Sequence, residues 1–192
     1  MNTILDGTGK GYKAKVGKDN RLWIESKSSS IQHQVSIVDG QAYQIIGITT
    51  LGSGTVTVLH IKNVSNLNLV ITYLRHQLVG ASGGTAFPNS SNYFSVRLGR
   101  TYVSGGSAAT AVNVNAGSGN EADITAYQDN PTLTGTANEI DRWYTKADGD
   151  MNTFNKEGSV VIPPSSTFEI SYVGDQTGGT IYARVSFIME EI

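Results

Sequence analysis

Residues 180–189 read TIYARVSFIM, and Ile181, Ala183, Val185, Phe187 and Met189 occupy alternate positions in the run. A period of two sends successive side chains to opposite faces of an extended chain, so this stretch predicts a strand with one face in a core. The same pattern recurs upstream. YFSVRLG (93–99) points Phe94, Val96 and Leu98 inward and Ser95 and Arg97 outward, and STFEISYV (166–173) does the same with Phe168, Ile170 and Tyr172. NLNLVITY (66–73) aligns Leu67, Leu69, Ile71 and Tyr73 on one face. In TVTVLHI (55–61) the apolar parity flips between Val58 and Leu59, as a bulge or a strand end requires.

Between these runs lie the turn clusters LGSGT, GASGG, VSGGS, NAGSGN and GDQTGG. The spacing predicts about eight to ten strands with no helical periods between them, which argues for antiparallel pairing. The expected fold is all-β, an antiparallel β-sandwich or jelly-roll-like domain over residues 28–192 with an extended basic N-terminal arm over 1–27. Residues 99–165 are poorer in apolar side chains and predict a long irregular, loop-rich region, with a short helix over ANEIDRWYTKA (137–147). VVIPPSS then marks an edge or turn, because proline cannot donate to a central ladder.

Composition agrees. Glycine accounts for 22 of 192 residues against a usual share of about 7%, and only 16% of residues are charged. Cysteine is absent, which excludes disulfides, thiolate zinc sites and cysteine nucleophiles. The start, MNTILDGTGK, has neither the basic opening nor the apolar run of a signal peptide, and no stretch is apolar enough to span a bilayer. The expectation is a soluble protein that makes no membrane contact. The net charge of −2 hides an asymmetry: residues 1–27 hold six bases and three acids, whereas residues 121–157 hold three bases and eight acids. Such a chain can attract a copy of itself.

The motifs that suggest chemistry fail on inspection. DGTGKGYKAKVGKDNRL (6–22) has Gly9–Lys10 followed by Gly11 where a phosphate-binding loop needs Ser or Thr, and its glycines do not fit the dinucleotide fingerprint. Asp148–Asn152, DGDMN, opens like a calcium loop, but Thr153 and Ser159 stand where glycine and glutamate are required. An acidic turn capped by its own side chains is the better expectation. His33, His60 and His76 lack metal-ligand spacing, and no G-x-S-x-G elbow is present. The expectation is therefore no catalysis, no cofactor and no metal, and an acidic chain argues against nucleic-acid binding. Trp23, in RLWIE, reads as a packing residue; Trp143 with Tyr144, in DRWYTK, reads as an interface pair in a polar loop.

ILDGTGKGYKAKVGKDNRL (4–22) followed by SIQHQVSIVDGQAY (30–43) resembles the start of tailed-bacteriophage virion structural proteins, of the capsid decoration (cement) or head-fibre type. The chain lacks the collagen-like or heptad segments of a fibre shaft, which favours the compact decoration type. The resemblance implies a virion protein on the capsid surface, assembled in the bacterial host cytoplasm. Its partners would be the major capsid protein and copies of itself, as a homo-oligomer with a trimer favoured. Lys10, Lys13, Lys15 and Arg21 are then the candidate arm contacts, steering and orienting as rim charges. The alternative is a receptor- or glycan-binding module of a fibre or tail, using Trp143 and Tyr144.

Overall fold

The computed structural model describes residues 15–16, 22–23, 34–88 and 90–190. The chain divides into two compact units, residues 1–30 and 31–192. In the first, Lys15–Val16 (β1) and Leu22–Trp23 (β2) pair antiparallel, with Lys15 opposite Trp23. This stretch of the arm, expected to run extended, turns back on itself. Lys10, Lys13 and Arg21 lie outside the described residues.

The second unit is antiparallel β apart from one π-helical segment at Gln34–Asp39. Its strands are β3 (Ala42–Thr50), β4 (Gly54–Asn63), β5 (Asn68–Ser82), β6 (Tyr93–Leu98), β7 (Thr101–Ser104), β8 (Ser107–Ala108), β9 (Val112–Asn113), β10 (Ile124–Gln128), β11 (Thr132–Thr134), β12 (Asn138–Tyr144), β13 (Met151–Ile162), β14 (Thr167–Gly174) and β15 (Gly178–Glu190). They form one sheet in the order β12-β6-β14-β4-β10-β8 and another in the order β13-β5-β15-β3-β9, with β11 and β7 pairing separately. All pairings are antiparallel.

The two sheets are held by what the alternating runs bury. Ile181, Ala183, Val185, Phe187 and Met189 of β15 join Phe168, Ile170 and Tyr172 of β14, and Phe94 and Val96 of β6, in a single core. Each fully buried Leu, Ile or Phe contributes about 1.5–3 kcal/mol, so this shared core dominates the fold. The parity flip in β4 is a bulge. Ile170 faces Leu59 and Ser171 faces Thr57, so Val58 is the extra residue, and Leu59 and Ile61 stay inside. A second bulge was not expected. Ser186 pairs with Tyr73 and Phe187 with Ile71, which leaves Thr72 extra. Leu69 and Ile71 are buried as expected, but beyond the bulge Leu74, His76 and Leu78 take the core positions and Tyr73 turns outward.

Residues 99–165, expected to be loop-rich, contain the seven strands β7–β13. ANEIDRWYTKA is not a helix. Residues 138–144 are β12, paired with β6 through a bulge at Ile140. Cross-strand partners override a weak helical period there. Residues 99–137 form an insert between β6 and β12 that lays β9 against β3 and β10 against β4.

At Gly47 on β3 the two sheets approach closely. A Cβ placed there would lie 2.8 Å from Leu59 Cβ and 2.8 Å from the Val58 carbonyl oxygen at the β4 bulge. Backbone on one side leaves little room to relax, so Gly47→Ala is expected to lower unfolding free energy by about 1–3 kcal/mol. An unchanged urea midpoint for that variant would show the approach to be looser than described.

Candidate interaction surfaces

The registers place every outward side chain on both sheets. On the outer face of the β12-β6-β14-β4-β10-β8 sheet, one row runs Tyr127, His60, Glu169, Arg97, Glu139. Glu169 is only 1% exposed. Arg100, at the base of the insert, donates to its carboxylate through Nε at 2.8 Å and Nη2 at 2.6 Å, and Arg97 lies 3.8 Å away. The Arg100 carbonyl is 3.0 Å from His60 Nε2, and Tyr102 of β7 stacks on Tyr127 at 3.6 Å. The next row carries Ser171, Ser95 and Arg142, and Arg142 pairs with Glu139 at 2.7 Å. This face is thus a polar network, satisfied at Glu169 but not at the buried His60 Nδ1, that holds the base of the insert against the sheet. A buried carboxylate is tolerable only when paired in this way. Burial lowers the His60 pKa, so the ring stays neutral at neutral pH.

Trp143 and Tyr144, expected as a joint interface pair, project from opposite faces of β12 because they are adjacent on a strand. Trp143 faces the sandwich. It stacks on Phe154 of β13 at 4.1 Å and on His76 at 5.3 Å, and His76 lies 3.9 Å from the Phe94 ring. Lys156 of β13 pairs with Asp141 of β12 and sits 5.1 Å over the Trp143 ring. This cluster joins the edge strands of the two sheets. Tyr144 is 49% exposed and packs edge-on against Tyr93, whose ring also carries the Arg142 guanidinium at 4.1 Å. DGDMN turns at Asp148–Gly149 and enters β13 at Met151, with Asp148 accepting the Ala81 amide and Asp150 accepting the Asn152 side chain. Among the described residues, no group of three or more His, Asp or Glu is placed to hold a metal ion.

The outer face of the β13-β5-β15-β3-β9 sheet is different. One end is covered. Val35 of the π-helical segment packs on Ala42, Ile188 and Val70. The rest is open and rich in apolar side chains, with Ile46 48%, Ile48 44% and Tyr182 41% exposed, and Val79, Met151 and Val112 exposed as well. Between them lie Arg184 and Arg75, directly opposite one another on β15 and β5. Outward positions of a half-solvated sheet are normally polar; here the exposed apolar side chains alternate with polar ones such as Gln44, Gln77, Thr153 and Thr180. Sequence reasoning missed this face, because the outward residues of four strands converge only once the registers are known. A search of protein-family models and of curated proteins finds no match to this chain.

Two measurements check the roles of these groups. Burial pushes the His76 pKa down to about 4, from an ordinary value near 6.5. The unfolded chain therefore binds a proton before the folded one, and stability is lost as pH falls from 6.5 towards 4, by up to about 3 kcal/mol. His76→Leu should flatten most of that slope in urea titrations, leaving the part due to His60. Asp175, held down to about 2 by hydrogen bonds from Thr85 and then Asn92, acts only below about pH 4. Separately, Trp143→Ala is expected to cost about 2–4 kcal/mol and Tyr144→Ala less than about 0.5; equal losses would contradict the opposed orientation.

Proposed function

We propose that the protein is a non-enzymatic virion component of a tailed bacteriophage. In this reading it decorates or stabilises the capsid by protein–protein contacts and symmetric self-association. The observation that carries the reading is the set of exposed apolar side chains, Ile46, Ile48, Tyr182, Met151, Val79 and Val112, on the outer face of the β13-β5-β15-β3-β9 sheet, which suits docking to protein. The connectivity supports it. Leaving out the insert strands, the sheets run β13-β5-β15-β3 and β12-β6-β14-β4, and the chain passes from one to the other at β3–β4, β4–β5, β5–β6, β12–β13, β13–β14 and β14–β15. That nested order is what supports reading the sandwich as a jelly roll, an architecture used in viral capsid proteins. Two buried titratable groups have structural surroundings: Glu169, on the outer face of its sheet, is clasped by arginines, and His76, in the interior, is boxed by rings.

In this proposal the basic arm, with Lys10, Lys13, Lys15 and Arg21, lies on the capsid or a neighbouring copy and orients the sandwich. The fibre or tail glycan module loses its joint platform, since Trp143 and Tyr144 do not share a face. The test is addition of purified protein to undecorated heads. Saturable attachment and greater resistance of the heads to heat are expected, and removal of residues 1–15 is expected to weaken attachment. Heads that neither bind the protein nor gain resistance would overturn the reading, whereas attachment that survives the truncation would overturn the arm alone.

A further inference from the structure

The self-association just proposed has a specific pair of surfaces available to it, and the inference below rests on that reading. Arg75 and Arg184 are direct cross-strand neighbours, an arrangement that like charges disfavour. Arg184 donates through Nη2 to Gln44 Oε1, but its buried Nε has no hydrogen-bond partner. Among the described residues, the four ion pairs are Arg97–Glu169, Arg100–Glu169, Arg142–Glu139 and Lys156–Asp141, and none involves either arginine. The two line a depression of about 240 Å³ with Ile46, Gln77 and Tyr182. A pair of guanidiniums with an unmet donor, walled by exposed apolar side chains, fits a carboxylate carried on an apolar segment.

The chain itself contains such a segment. No lysine or arginine occurs between Arg100 and Arg142. Within that stretch Glu121 and Asp123 are exposed, while the alternating Ala122 and Ile124 pack against the core. Neither carboxylate makes an ion pair among the described residues. Exposed Val112 and Val114 lie on the same insert. The insert thus offers two carboxylates beside apolar side chains, and the sheet face offers two guanidiniums beside apolar side chains.

We propose that copies of the protein associate head to tail, the Glu121–Asp123 segment of one copy seating on the Arg75–Arg184 face of the next. Opposite charge pairs the insert of one copy with the arginine face of the next, and such a contact, repeated head to tail, closes into a ring when the rotation allows.

Sedimentation velocity on the full chain tests this with three variants: R75E/R184E, E121R/D123R, and all four substitutions together. The wild type is expected to form an oligomer that dissociates as salt is raised, both double variants to sediment as folded monomers, and the quadruple variant to recover the oligomer. Arg75 and Arg184 are half-buried and Glu121 and Asp123 exposed, so circular dichroism with thermal melting verifies that each variant folds. A monomeric wild type overturns the proposal, as do double variants that keep the wild-type mass or a folded quadruple variant that stays monomeric. Binding of a carboxylated sugar by monomeric wild type, lost in R75E/R184E, overturns it in favour of a glycan site. Attachment to undecorated heads is scored separately. A monomer that still attaches sinks this contact and spares the decoration reading, and an oligomer that ignores heads does the reverse.

Discussion

Everything in the sandwich depends on the last crossing of the chain between its sheets. β14 lies between β6 and β4, and β15 between β5 and β3. The final two strands therefore occupy the middle of both sheets, and their inward residues sit at the centre of the shared core. Until they arrive, β3 and β5 have no common neighbour, nor do β4 and β6. Nearly all stabilising contacts are consequently distant in sequence, and loop closure must be completed before burial rewards it. The length and regularity of the alternation in residues 180–189 follow from this. A strand flanked on both edges and packed on one face tolerates no error of phase.

The two sheets treat their outer faces in opposite ways. On one, the insert is drawn down by Arg100 on Glu169, and Tyr102 stacks on Tyr127 within the insert itself. On the other, only the end beneath the π-helical segment is covered. A stretch of nearly forty residues has gone into closing one face, while apolar side chains stay open on the other. Simple economy of burial would place the apolar face under the insert. That exposed face is the one the proposed self-association uses.

How much of this was legible in the sequence depended on whether local pattern or distant pairing decided the outcome. β6, β14 and β15 could be read directly because burial on one face imposes the period, and the β4 bulge showed as a break in parity. The Thr72 bulge left no such mark. Val70, Ile71 and the following residues are acceptable on either face, so only the partner strand fixes the phase. β12 and β13 were obscured by Lys156, Asp141 and the polar residues around them, whose charges meet across the sheet edges. Trp143 was read as a surface anchor for the same reason, since its stacking partners, Phe154 and His76, lie far away in the sequence. The Arg75–Arg184 pairing spans more than a hundred residues and appears only once β5 and β15 are in register.

The way the edges are finished bears on how the molecule can associate. Exposed strand edges invite indiscriminate pairing, and proteins blunt them with short strands, bulges and charges. Here β8 and β9, at one side of the sandwich, are two residues each. On the other side, β12 is bulged at Ile140, and β13 is interrupted between Asn155 and Val160, where Gly158 takes a left-handed φ of 81°. Lys156, within that interruption, is pinned to Asp141 instead of projecting along the edge. Strand addition is therefore discouraged at each boundary of the sandwich, while the broad face of β3, β15 and β5 keeps exposed apolar side chains. The proposed association through that face would rely on side-chain packing and charge matching, which can be specific for one partner geometry where backbone pairing along an edge would not be.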